Sequence, residues 1–198
     1  MPKPKTNHIR PVPVAEHGPE VQRFGETRVH PIALGDDVAA QSCVVLNQIL
    51  ADTVVLHSLY KKHHWHMHGP TFHQWHLLLD RHAEEQLELV DLLAERVRVL
   101  GGVAVADPRH VAEMTTIPRP PNGIEEVPAM LSRLLEAHEI IIRKVRDAIA
   151  ETAANRDDGT NDLLVSDVLR TGELQVWLIA DHLVDPLAAR IRPIARNG

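Results

Sequence analysis

Five residues in the middle of the chain combine metal-ligand chemistry with helical spacing: His64, His76, Asp80, Asp91 and Glu95. Imidazole nitrogens and carboxylates without thiolates suit iron, zinc or manganese. His76 and Asp80 are four residues apart, as are Asp91 and Glu95, so each pair stands one above the other on a helix face. Asp80 to Asp91 is three turns. That returns the two pairs to nearly the same face but separates them by roughly 16 Å along the axis. One ion cannot bridge that distance. The pairs complete each other if two copies of the helix pack antiparallel about a twofold axis. Two equivalent sites per dimer, each built across the interface, are therefore expected. Alone, a His-x-x-x-Asp pair reads as a surface or capping pair, and Asp91 with Glu95 reads as a solvated face; the combination carries the metal reading.

The elements that would position these residues can be read from local signals. A chain of 198 residues with 44% hydrophobic content can bury one core and is read as a single domain, 1–198. With only two phenylalanines, one tyrosine and three tryptophans, its apolar mass is aliphatic, which favours packed helices. The first 35 residues hold Pro2, Pro4, Pro11, Pro13, Gly18, Gly25 and Pro31 and are expected to form an extended arm. A first long helix should begin near Asp36 or Asp37 and run past His64 to a stop at Gly69-Pro70. A second runs from about Thr71 to Leu100, ending at Gly101-Gly102. About twenty residues with Pro108, Pro118, Pro120 and Pro121 then cross the bundle, with a short helix expected near 111–114. A third long helix spans about Glu125 to Ala154, with Pro128 in its first turn, and a fourth about Thr160 to Val184. The bundle thus covers about 36–185, followed by a tail, 186–198. The lone Cys43 excludes an intrachain disulfide. The polar, proline-rich start shows no cleavable leader, and no apolar run of membrane-spanning length is expected. The expected address is the cytoplasm, with no membrane partner.

Four helices with one long crossover describe an all-α, ferritin-like bundle, although no Glu-x-x-His occurs here. His64-Trp65, Gly69, Phe72, His76, Asp80, Asp91 and Ala94-Glu95-Arg96 before Leu100-Gly101-Gly102 resemble the Dps family, the DNA-binding proteins from starved cells or mini-ferritins. The resemblance covers all four helices. It implies a hollow shell of twelve identical subunits in which iron(II) is oxidised, preferably by hydrogen peroxide rather than O2, and stored as ferric mineral. It places His64, His76 and Asp80 of one subunit with Asp91 and Glu95 of its twofold neighbour. It also implies entry pores near the start of the last helix, where Asp157, Asp158, Asp162 and Asp167 lie; Asp at a helix start is equally a capping residue.

Other residues add to this reading. His68 and His73 share the ligand segment, whereas His63, His66 and His82 fall off the ligand face by helical phase. His182 could approach from the last helix as an auxiliary ligand or serve as a core histidine. The excess imidazole makes zinc an expected competitor for iron. Trp65 and Trp75, beside His64 and His76, read either as packing residues or as sinks for a stray oxidising equivalent. Glu84, Glu85 and Glu88 read as a mineral-seeding or merely solvated face. A net charge of −6 opposes DNA binding. The basic sets Lys3, Lys5, Arg10 and Arg190, Arg192, Arg196 could still give a dodecamer avidity for DNA, and hence nucleoid association. His8, Glu16, His17 and His30 of the arm could trap zinc. A DNA-binding or zinc-holding shell with little ferroxidase activity is the alternative function.

Overall fold

The computed structural model describes residues 20–183, and all regular structure among them is helical. Four long helical stretches form the bundle: α1 (Asp36–His66), α2 (Phe72–Val99), α4 (Val127–Ala154), and a composite last stretch. That stretch consists of α5 (Asp158–Asp162), a π-helical segment (Leu163–Leu169) and α6 (Arg170–Leu183). A short α3 (Pro108–Met114) sits in the crossover between α2 and α4. The helix ends fall where the local signals put them. Gly69 and Gly101 take left-handed conformations that a side chain would resist, and the Gly102 amide closes α2 on the Val97 carbonyl at 2.9 Å. Pro128 lies in the first turn of α4. The last helix departs from expectation: it starts at Asp158 and is wound as a π-helix over LLVSDVL, a feature that nothing in its sequence signals.

The core is a column of aliphatic side chains, including Leu46, Leu50, Leu56, Leu79, Leu93, Leu134, Val145, Leu164 and Ile179. α1 packs on α2 and α4, and α4 packs on α6. The expectation that no helix is apolar enough to span a membrane is corrected by α1, whose best 18-residue window has a mean hydropathy of 1.4. Within the bundle this helix instead buries Ser42, Asn47, Asp52, Tyr60, His63 and His64 against other elements.

Three polar residues of α1 hold the crossover down. The Asn47 amide donates to the Val103 carbonyl and its oxygen accepts from the Val105 amide. Gln48 donates to the Met114 carbonyl. The fully buried Asp52 carboxylate accepts from Thr115, from the Thr116 amide and from the Lys144 ammonium at 2.6 Å. Backbone groups of Val103, Val105, Met114 and Thr116 in the crossover thus find partners on α1 in place of the water lost on burial.

Beside the crossover, residues 20–32 dock against the C-terminal end of α2, and Phe24 meets His110 of α3 edge-on with ring centroids 4.4 Å apart. The Arg28 amide and the Gln22 side chain both donate to the Gly101 carbonyl, and His30 Nδ1 lies 2.9 Å from the Val99 carbonyl. A Cβ at residue 101 would come within 1.9 Å of the Arg28 carbonyl oxygen, so this joint requires glycine. The basic arm residues Lys3, Lys5 and Arg10, the groups His8, Glu16 and His17, and the tail arginines lie outside the described residues.

Candidate metal centre

His64 near the end of α1 and His76 in the first turns of α2 are brought together by the five-residue turn 67–71. Their rings stack 3.8 Å apart at 19°. His64 Nδ1 donates to the backbone carbonyl of His76 at 2.8 Å, and His76 Nδ1 donates to that of His64 at 3.1 Å. With both Nδ1 positions committed as donors, the Nε2 atoms keep their lone pairs. An oriented imidazole of this kind is what a metal requires of histidine. Asp80, one turn along α2, sets its Oδ1 3.8 Å from His64 Nε2. Phe72 covers the other side of His76, with ring centroids 5.1 Å apart.

A cation already faces this carboxylate. Lys61, one turn before His64 on α1, places its ammonium 2.5 Å from Asp80 Oδ1. That hydrogen bond holds the Asp80 carboxyl below the usual carboxylate range, with the nearby His64 and His76 adding to the effect. Sequence reasoning missed this pairing. The signal was available, because Lys61 and His64 lie three residues apart on one helix face.

Asp91 and Glu95 are exposed on the same helix as Asp80, three and four turns further on, and do not join the histidines within one subunit. Among the described residues, no three His, Cys, Asp or Glu side chains converge closely enough to hold an ion alone. The face of α2 that carries Asp80, Asp91 and Glu95 also exposes Leu77, Leu87 and Leu92, and Trp65 stands 68% exposed near the end of α1. Such an apolar stripe interrupted by carboxylates is unusual on a solvated surface.

The remaining histidines sort by burial. His68 and His73 are exposed, His68 Nδ1 being 3.0 Å from the His66 carbonyl. His182 stacks edge-on against Trp75 and its Nδ1 lies against the Leu178 carbonyl. His63 and His82 are fully buried with neither ring nitrogen bonded, and burial pushes both down to about 4. His82 belongs to a polar layer inside the bundle that sequence reasoning did not anticipate. There the Tyr60 hydroxyl and His138 Nε2 are hydrogen-bonded at 2.6 Å, and Gln86, Gln175 and Glu85 are bonded in series.

The acidic group at the start of the last helix divides. Asp157 is buried and caps α5; its carboxylate accepts from Thr160, Ser42 and Arg96. Burial works to raise its pKa, but these bonds outweigh it and hold the carboxyl low. Asp158, Asp162 and Asp167 remain exposed. Of the α2 glutamates, Glu84 and Glu88 are exposed, whereas Glu85 turns toward Gln175 and Arg81.

A family model described as ferritin-like domain matches residues 44–187. The structure superposes on that of DpsC from Streptomyces coelicolor with a TM-score of 0.84 and 61% identity, covering 89% of this chain and 99% of the other. A DNA protection during starvation protein from Halobacterium salinarum is 32% identical over 145 residues, 73% of this chain and 77% of the relative. A nutrient stress-induced DNA-binding protein from a Synechococcus strain is 32% identical over 153 residues, 77% of this chain and 87% of the relative.

Proposed function

Because the chain belongs to the ferritin-like superfamily and to its Dps branch, we propose that it is a ferroxidase that oxidises iron(II) with hydrogen peroxide and stores the product as ferric mineral inside a homododecameric shell. The observation that carries this reading is the reciprocal His64–His76 bonding, which leaves two Nε2 lone pairs beside the Asp80 carboxylate. Neutral imidazoles hold iron(II), and carboxylates favour iron(III).

The site is completed by a twofold neighbour that supplies Asp91 and Glu95. Exposure of these two carboxylates beside Leu77, Leu87 and Leu92 supports that assignment, because a second copy would cover the leucines and deliver the ligands together. Iron is the substrate. Two iron(II) ions each give one electron, the O–O bond of peroxide breaks, and both oxygens reach the oxidation level of water. Passing two electrons to one peroxide avoids releasing hydroxyl radical, which fits a protective role against oxidative stress. O2 is the slower alternative oxidant, and zinc competes for the same nitrogen and carboxylate donors.

The exposed Asp158 and Asp162 serve as entry-pore residues, while the buried Asp157 is removed from that set by its structural bonds. His68, His73 and His182 remain auxiliary ligands at most, since none is brought to the His64–His76 pair by the described contacts. The protein works in the cytoplasm. A second reading, DNA or nucleoid protection, draws on the printed names of the relatives, and its basic residues lie in the two terminal segments.

The test compares iron(II) oxidation after peroxide addition in the native protein and in His76→Ala/Asp80→Ala, with assembly size followed in parallel. Rapid oxidation that is lost in the variant while the assembly stays intact supports the site. Equal slow rates in both would transfer the assignment to a DNA-binding or zinc-holding shell.

A further inference from the structure

The only tyrosine of the chain, Tyr60, is fully buried inside the bundle, one helical turn before His64 on α1. A single buried phenol at that position has one polar partner. Its hydroxyl oxygen lies 2.6 Å from Nε2 of His138 on α4, within hydrogen-bond reach. His138 is itself 1% exposed, and the edge of His82 closes the layer on the other side of the phenol ring, with centroids 5.4 Å apart. Glu85 is the nearby carboxylate. Burial raises the Tyr60 phenol well above its ordinary pKa and pushes His138 down to about 3, so at rest the phenol keeps its proton and the imidazole is neutral. With the proton of His138 on Nδ1, this is a donor and an acceptor poised around one proton, in a buried layer.

We propose that Tyr60 and His138 form a buried proton-coupled redox pair that takes up one-electron oxidising equivalents. The source of those equivalents, peroxide chemistry at the His64–His76–Asp80 centre, rests on the function proposed above; the pair itself does not. In the uptake step the Tyr60 ring loses one electron and its phenolic proton crosses to His138 Nε2, giving a neutral tyrosyl radical beside an imidazolium. The oxidant, of the hydroxyl-radical class, gains that electron and becomes hydroxide. A phenol that has lost an electron is a strong acid, so even an imidazole disfavoured by burial accepts its proton. In the return step one iron(II) gives an electron to the radical, becoming iron(III), and the proton goes back from His138 to the phenolate oxygen.

The distance is short. Tyr60 and His64 are four residues apart, about 6 Å along the helix axis. The two tryptophans beside the ligands are placed differently. Trp65 is 68% exposed, and Trp75 packs against the exposed ring of His182, whereas the imidazole beside Tyr60 is itself buried.

With one tyrosine in the chain, a tyrosyl signal has a single origin. The intact assembly is oxidised in two ways, with azide radical in metal-free protein and with iron(II) plus peroxide, and the product is followed by freeze-quench electron paramagnetic resonance. The expected result is a tyrosyl signal with both oxidants, with a solvent deuterium effect on its formation. His138→Gln, which retains a hydrogen-bond acceptor but cannot take the proton, should slow its formation by roughly a hundredfold, the scale of a positioned proton acceptor, while initial iron oxidation stays unchanged. Tyr60→Phe keeps the packing and should speed tryptophan oxidation under iron and peroxide. The pair is overturned if no tyrosyl signal forms with either oxidant, or if His138→Gln leaves its rate unaltered in an intact assembly. A signal with azide radical alone establishes the pair and instead removes the metal centre as its source, which separates this inference from the proposed ferroxidase function.

Discussion

His64 and His76 each donate an Nδ1 proton to the other's backbone carbonyl, so the two helices are cross-linked by the same two side chains whose Nε2 atoms are left free. In the proposed site, orientation and ligation are therefore inseparable. His76→Ala should lose one ligand, the stacking partner of His64 and one interhelical bond together. Loss of an outer-shell partner alone typically costs about 10–100-fold, and removing His76 should exceed that in peroxide-driven iron(II) oxidation. Stopped-flow absorbance with size-exclusion control checks this; a variant within about threefold of the native rate would exclude His76 as a ligand.

Lys61 competes with any incoming ion for Asp80. Replacing it by Met removes the resident positive charge while keeping the aliphatic stem. Divalent-ion binding should tighten, by up to about fivefold, because a pair this exposed contributes at most about 1 kcal/mol. Titration of zinc into native and Lys61→Met protein measures it. Weaker binding in the variant would instead make Lys61 a supporting element of the site.

Acid should destabilise this bundle sooner than most. His63 and His82, at about 4, and His138, at about 3, are neutral when folded, whereas in the unfolded chain each regains a pKa near 6.5. The folded values are the lower ones. Unfolding therefore takes up protons below about pH 6.5; stability is full above that pH and falls as pH drops toward 4. With all three sites taking up a proton on unfolding, the slope approaches about 4 kcal/mol per pH unit. Denaturant midpoints at pH 7.5, 6 and 5 test this, and identical midpoints would contradict it.

Asp157 ties three elements together: Ser42 of α1, Arg96 of α2 and Thr160 of α5 all donate to it. Asp157→Ala would leave the Arg96 guanidinium half-buried and unpaired, and should cost about 3–5 kcal/mol. By contrast, Asp158→Asn and Asp162→Asn, on the surface, should leave stability within about 0.5 kcal/mol and slow iron uptake. If uptake were unchanged, those residues would not line an entry route.

These contrasts show what was readable before the structure. Helix limits were legible because Gly69-Pro70, Gly101-Gly102 and Pro128 act locally, and the shared face of Asp80, Asp91 and Glu95 on α2 was legible because helix period alone sets it. What escaped depends on contacts distant in sequence. Tyr60, His82 and His138 meet only when three helices pack, and nothing in their flanks announces it. Lys61 reaches Asp80 because a long side chain spans two helices. Asp157 and Asp158 are identical as residues, and only the neighbouring Ser42 and Arg96 decide which one is buried. The π-helical winding of LLVSDVL likewise left no mark in the residue types. The apolar character of α1 was underestimated, since its interior polar residues serve partners in the crossover and the other helices.

The Gly101 joint has a mechanical meaning. Residues 20–32 are fastened to the C-terminal end of α2 by bonds at Gly101 and Val99, and that end lies about 28 Å along the helix from Asp80. A load applied at Glu20 is thus delivered to the far end of α2 and grounded there before it reaches α1. Whatever is hung on the front of this chain pulls on a corner of the bundle, and the His64–His76 pair sits outside the line of force.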